Sequence, residues 1–261
     1  MLIDNFQVSS PNVKYTEDYI ESSYNYQDTR LYMNIETNTW MVEPVECCFV
    51  FRTQRKVPKL GIMLVGWGGN NGSTLTAGLI ANRENITWKT KNGLHSPNYW
   101  GSLTQSSTCR IGRLDGEDYH VPFKSILPMV DPNSVKVDGW DISSMSLDMC
   151  VDRAKVLDLD LQQQLIPYLK DMHPRPSIFN PSYVASNQKA RADNIIEGVK
   201  LYQMEKIRAD IRDFKTTSGV DKIVVMWTAN TERYSKVESG IHDTEENLRA
   251  AIKAENSEIS P

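Results

Sequence analysis

Leu60-Gly61-Ile62-Met63-Leu64-Val65-Gly66-Trp67-Gly68-Gly69-Asn70-Asn71-Gly72-Ser73-Thr74-Leu75-Thr76-Ala77-Gly78 reads as a buried strand, a glycine bend and the start of a helix. Ile62 to Val65 is an apolar run of core-strand length. Gly66, Gly68, Gly69 and Gly72 leave the following backbone almost bare of side chains. Ser73 or Thr74 is expected to cap the helix by accepting from its free N–H groups. Those N–H groups and the positive end of the helix dipole suit a phosphate. Strand, glycine turn and helix in this order form the dinucleotide-binding pattern. The spacing here is G-x-G-G-x-x-G, one residue longer than the usual G-x-G-x-x-G, so a purely structural turn stays open as an alternative. Asn70 and Asn71 favour the ligand reading, because amide side chains can both cap and grip.

The composition suits a globular protein: 261 residues, 40% hydrophobic, 24% charged and a net charge of −4. No basic run marks a nucleic-acid face. Neither a charged-then-apolar leader nor an apolar stretch of membrane length is present, so no membrane partner is expected. Cys47, Cys48, Cys109 and Cys150 have neither disulfide nor zinc spacing, and reduced thiols in the cytoplasm are expected. His95, His120, His173 and His242 are too scattered to hold a metal. Asp115-Gly116-Glu117-Asp118 reads as a solvated turn without the spacing of a calcium loop. Hydrolase, zinc-protease and Walker motifs are all missing.

Residues 1–58 show no helical period, and Val45–Phe51 is their best strand candidate. This arm either packs against something outside itself or is a loose tail. An ordinary dinucleotide fold places an acid about 20 residues past the loop for the ribose hydroxyls, but that region holds Lys89 and Lys91. Asp141 offers the acid from elsewhere: Val135 and Val137 form a short strand, and Asp141 stands at its carboxyl end. Alternatively, Asp141 merely caps a helix beside Ser143. That helix, capped by Ser143 or Ser144, is expected to run through Leu147, Cys150, Ala154 and Leu157. Leu159–Leu169 reads as a helix ended or kinked by Pro167. Asn187–Arg191 opens a long helix carrying Ile195, Val199, Tyr202, Ile207, Ile211 and Phe214. Asp221–Trp227 reads as a second buried strand, with Thr228-Ala229-Asn230-Thr231 at its carboxyl end, where small residues admit a flat ring. Asp243–Glu246 resembles a capping box. The fold class expected is α/β, a Rossmann-like, doubly wound, mostly parallel sheet that is incomplete. It divides into an N-terminal arm, 1–58, and a cofactor domain, 59–261.

The glycine stretch resembles the signature loop of the eukaryotic myo-inositol-1-phosphate synthases. Ser10–Thr16, Tyr99–Gln105, Gly139–Ser143 and Trp227–Tyr234 resemble further blocks of that family, in its order, while the family's C-terminal half is not represented. The resemblance implies NAD as cofactor, contacted by Gly68, Gly69, Asn70, Asn71, Asp141, Ile178, Gln188, Arg191, Thr228, Ala229, Asn230 and Thr231. Asp141 becomes the ribose acid and Ile178 an apolar wall for the adenine. The resemblance also implies the family reaction: glucose 6-phosphate is oxidised at C5 by NAD, cyclised by an aldol step and reduced again to myo-inositol phosphate. The family's catalytic lysines and phosphate cluster lie beyond residue 261, so no catalytic residue is assigned and the chain alone is expected to be inactive. Full-length subunits are implied to form a homotetramer. Two alternatives are a non-catalytic module that binds NAD or docks on other subunits, and an unrelated NAD-dependent sugar dehydrogenase.

Overall fold

The computed structural model describes residues 1–181, 188–229 and 236–256. In chain order the strands β1 (Val13–Tyr15), β2 (Tyr19–Asn34) and β3 (Thr39–Gln54) come first. Then β4 (Leu60–Val65) runs into α1 (Asn70–Arg83). A connection follows through β5 (Trp88–Thr90), β6 (Gly93–His95), α2 (Leu103–Ser106), β7 (Thr108–Leu114) and β8 (Glu117–Pro122). The chain continues with β9 (Lys136–Asp141), α3 (Leu147–Ala154), α4 (Leu159–Leu169), β10 (Arg175–Pro176), α5 (Lys200–Ser218), β11 (Lys222–Trp227) and α6 (Glu245–Lys253). Contacts divide it into two compact units, Met1–Val57 with Tyr99–Met129, and Pro58–Asn98 with the described residues from Val130 onward.

The first unit is antiparallel. β2 and β3 pair along their whole length, from Tyr19↔Gln54 to Asn34↔Thr39, and β1 adds to the β2 side. The N-terminal segment is therefore a long ribbon, and the loose-tail alternative falls. Asn34 shapes its tip, where the Oδ1 accepts from the N–H of Glu36 at 3.0 Å and of Thr37 at 3.3 Å. Pro44 sits within β3, which lies at the sheet edge, where a missing N–H breaks no inner ladder. One face carries Tyr24, Tyr26, Phe49 and Phe51, all exposed. β7 and β8 form a second hairpin around Asp115-Gly116, both at positive φ, so the acidic turn expected there is a hairpin turn.

The second unit holds a four-stranded sheet in the order β10-β9-β4-β11, every pair parallel. Alternate residues of β4 serve opposite faces. Leu64 packs on one side with Ala77, Ile80 and Ala81 of α1, Leu147, Cys150 and Val151 of α3, and Leu161, Leu165 and Leu169 of α4. Met63 packs on the other side with Trp140 and with Phe214 of α5. Each large side chain buried here contributes about 1.5–3 kcal/mol. Helices on both faces make the sheet doubly wound, as expected. Numbered by their order in this sheet, the strands lie 3-2-1-4, the first part of the dinucleotide-fold order.

Ionic contacts tie α5 beneath β9 and β10. Arg175 bonds Asp138 at 2.8 Å and Asp213 at 2.7 Å, and lies 3.5 Å from Asp210. The buried Asp210 also accepts the indole N–H of Trp140 at 3.0 Å. Burial works against the Arg175 charge, but its hydrogen bonds to Asp213 and Asp138 outweigh it, and its pKa is raised.

Three elements differ from expectation. The long helix begins at Lys200, not near residue 187, because Gly198 at φ +114° breaks the path and a short 3-10 turn at Lys189–Arg191 precedes it. α3 starts after Ser146 and stops at Lys155, which adopts a left-handed conformation, so Leu157 lies outside it. β11 is not buried: Val224, Val225, Met226 and Trp227 are all exposed, because β11 is the last strand on its side of the sheet.

Candidate functional site

The glycine bend sits at the carboxyl end of β4, next to the point where the strand order reverses between β4 and β11. Gly66 has φ +86°, and a Cβ there would lie 3.0 Å from the Ala229 backbone, so only glycine serves. Gly69 N–H bonds Gly66 O at 2.9 Å, and this turn absorbs the extra residue in the spacing. A Cβ on Gly72 would meet Trp67 O at 2.6 Å and Gly66 O at 2.7 Å, so Gly72 lets α1 press against the bend. Trp67 folds under it, its indole N–H donating to Thr76 Oγ1 at 2.8 Å in the core.

The helix is not capped as expected. Gly69 occupies the cap position and no side chain caps α1. Ser73 lies one turn inside, buried, and donates its hydroxyl to Gly69 O at 2.8 Å. The first N–H groups of a helix have no intrahelical acceptor, so α1 opens with its donors and its dipole uncompensated. Asn70 and Asn71 are exposed at that opening, and Asn71 Nδ2 donates to Thr228 O at 3.3 Å.

Thr228 and Ala229 close the other side. Both N–H groups donate to Val65 O at 2.9 Å, and Thr228 Oγ1 donates to the same oxygen at 2.7 Å. The ends of β4 and β11 are thus zipped together directly beneath the bend. Asn230 and Thr231 lie outside the described residues.

Asp141 ends β9, the strand beside β4, and only 5% of it is exposed. The acid absent some 20 residues after the loop is therefore in the usual place in space; the connection between α1 and β9 displaces it only in sequence. Its Oδ1 accepts from Ser143 N–H at 3.1 Å, so Asp141 does hold the turn that follows. Among the described residues, no hydrogen bond reaches its Oδ2. That oxygen would lie 3.2 Å from a Cβ on Gly68, so the bare Gly68 backbone lets the carboxylate reach the bend. Cys150 lies as close to Gly68, and burial pushes its thiol up to about 11, with Arg153 opposing.

A loop from β10 to α5 brings the remaining predicted residues near. Asn194 Nδ2 donates to the Asp141 and Pro174 carbonyls, both at 3.1 Å. Asp193 accepts from the Ser144 N–H at 2.9 Å and hydroxyl at 2.8 Å, which hold its carboxyl below the usual range. Arg191, so anchored, donates to Gln188 Oε1 at 2.8 Å and places Nη2 3.9 Å from Asp141 Oδ1. Ile178 is half-buried just beyond β10, next to Ser177, which bridges to Ile195. No group of three or more potential metal ligands occurs among the described residues. Arg153 was missed by sequence reasoning. It donates to Gly68 O at 2.6 Å. A basic residue late in α3 gives no motif, and only the packing of α3 under the bend reveals it.

Proteins built this way bind dinucleotides in the crevice at the strand-order reversal, and the chain is one of that class. A family model described as myo-inositol-1-phosphate synthase, an NAD-binding one, matches residues 60–261. The chain is 54% identical to inositol-3-phosphate synthase 1 of Populus euphratica, over 100% of this chain and 52% of the relative. It is 53% identical, over the same shares, to the probable inositol 3-phosphate synthase isozyme 3 of Arabidopsis thaliana. The crystal structure of inositol-3-phosphate synthase from Caenorhabditis elegans matches with a TM-score of 0.93 at 40% identity, over 99% of this chain and 51% of that one. The chain belongs to the myo-inositol-1-phosphate synthase family, and it spans about half the length of the curated relatives it matches.

NAD is the family's cofactor, and the residues present fit it. The helix start is uncapped, a Cβ would crowd the bend at Gly66, Gly68 and Gly72, and Asp141 keeps one carboxylate oxygen without a partner among the described residues.

Proposed function

We propose that this chain is the NAD-binding part of an inositol-3-phosphate synthase, which converts glucose 6-phosphate into inositol 3-phosphate. The carrying observation is the placement of Asp141 beside Gly68 at the carboxyl end of the strand next to the glycine bend. In this reading the α1 N–H groups with Gly68, Gly69, Asn70 and Asn71 hold the diphosphate, and Asp141 accepts the ribose hydroxyls. Ile178 walls the adenine, with Gln188 and Arg191 at the rim. Thr228 and Ala229 line the nicotinamide end. Bound NAD supplies a hydride acceptor that can return what it takes. The chain's own residues bind and orient it, and none is assigned an acid–base role.

The functional boundary in this proposal falls between an arm, 1–58, and a cofactor domain, 59–261, and the family match beginning at residue 60 supports it. The whole enzyme assembles as a homotetramer in the cytoplasm. Among the described residues no helix is long and apolar enough to cross a membrane.

Titration of NADH fluorescence tests the site. Saturable binding is expected, weakened about tenfold or more in Asp141→Ala, as the loss of charged hydrogen bonds of about 1.5–3 kcal/mol requires. Equal affinity in the two proteins would place the ribose elsewhere.

A further inference from the structure

At the glycine bend a guanidinium from α3 is held in an unusual state. Arg153 lies in the last turn of α3. Its Nη2 donates to Gly68 O at 2.6 Å, a short charge-assisted bond. Its Nη1 is sealed from solvent and finds no hydrogen-bond acceptor among the described residues.

The peptide between Gly68 and Gly69 is gripped at both ends. Its carbonyl is drawn toward α3 by Arg153, and its N–H is bonded to Gly66 O at 2.9 Å. A trans peptide points these two groups in opposite directions. With Gly68 O pulled to the α3 side, its negative end is kept out of the anion site, and α1 begins immediately after. Two glycines in succession would otherwise let this plane rotate at little cost.

The charge itself matters as well. Arg153, Asp141, Arg191 and Asp148 all act electrostatically on the Cys150 thiol. Two cations and two carboxylates balance there, and of the four Arg153 is the one hydrogen-bonded to the bend itself, close to where a diphosphate carries two negative charges. A guanidinium with one nitrogen sealed and unsatisfied is unfavourable on its own, and a polyanion on the other side of the bend offsets it.

We propose that Arg153 is a positioning residue for the diphosphate of the cofactor: it fixes the Gly68–Gly69 peptide plane and places a half-buried positive charge behind the loop. This rests on the dinucleotide reading of the site. Arg153 acts through the loop, since its free nitrogen is closed to the crevice.

The test compares ligands with and without phosphates on the parent protein, Arg153→Met and Arg153→Lys. NADH and ADP-ribose are expected to bind at least tenfold more weakly to Arg153→Met, while adenosine, followed by saturation-transfer NMR, changes less than twofold. Arg153→Lys keeps the charge and one donor and is expected to recover most of the lost NADH affinity. Should the Met variant fail to fold, Arg153→Lys carries the test. It is then expected to weaken NADH about threefold, with adenosine unchanged and the dependence of affinity on salt retained, because the charge is kept. Unchanged NADH affinity in the folded variants overturns the inference alone, as does an equal loss for adenosine, which would mark a structural role. Absence of saturable NADH binding by the parent protein overturns the cofactor reading, and this inference with it.

Discussion

At the residue scale, the glycines of the bend are not equivalent. A Cβ on Gly69 meets only Gly66 O, at 3.0 Å, and Gly69 has φ −69°, which any residue adopts. Gly69→Val is expected to keep the fold but abolish NADH binding, since its branched side chain occupies the approach to the α1 N–H groups. Gly72→Ala drives a methyl group into two backbone carbonyls and is expected to destabilise the domain by about 3 kcal/mol. Circular dichroism with NADH titration separates the two; a folded Gly69→Val of full affinity would contradict the assignment. Cys150 offers a different check. Burial raises its pKa from 9.0 to about 11, so the fold favours the neutral thiol. Below pH 9 folded and unfolded chains are both protonated there and nothing is lost. As pH rises from 9 to about 11 the unfolded thiol ionises first, and stability falls. In Cys150→Ala the melting temperature is expected to decline less steeply over that interval. Of the residues themselves, Asp141 was legible because a strand-end carboxylate is conspicuous. The start of α1 was not, because the run of glycines hides that the helix begins at Asn70 and not after Ser73.

At the scale of elements, the parallel strands announce themselves by β-branched and apolar runs, and β4, β9 and β11 appear where those runs lie. The helix after residue 187 does not. Ile195 and Val199 continue an apolar rhythm, yet the segment is committed to other bonds: Asn194 and Asp193 tie it to the end of β9. Periodicity cannot sense such a tether. The β2–β3 ribbon was also only partly visible, although Tyr24 and Tyr26 alternate with polar residues as a strand should, because its apolar face has no core to mark it. Arg175 is the clearest energetic link between elements. Arg175→Met would leave Asp138 without its cation and the buried Asp210 with Lys206 alone, at a cost of about 3–5 kcal/mol. Urea unfolding should show this as a lower midpoint with an unchanged slope. No change in midpoint would mean that Lys206, 3.5 Å from Asp210, compensates.

For the whole molecule, two surfaces stand out as unfinished: the exposed apolar residues of β11, Trp227 being 61% accessible, and the aromatic face of the β2–β3 ribbon. The chain spans about half the length of the curated relatives it matches, and the site proposed within it is a cofactor site with no assigned acid–base residue. Incubated with glucose 6-phosphate and NAD, the chain by itself should release no inositol phosphate while still binding NADH. Turnover would show that residues within 1–261 perform the acid–base steps. The same surfaces should bind a hydrophobic dye such as anilinonaphthalene sulfonate in the folded state.

The wide separation of β4 from its partners also bears on how the polypeptide is made. Val65 leaves the ribosome long before Lys136, and Lys222 later still, yet these strands must lie side by side. At about 5–20 residues per second, the glycine bend waits on the order of ten seconds for the last strand to emerge. The nascent chain meanwhile holds an apolar strand without neighbours, a natural client for chaperones during translation.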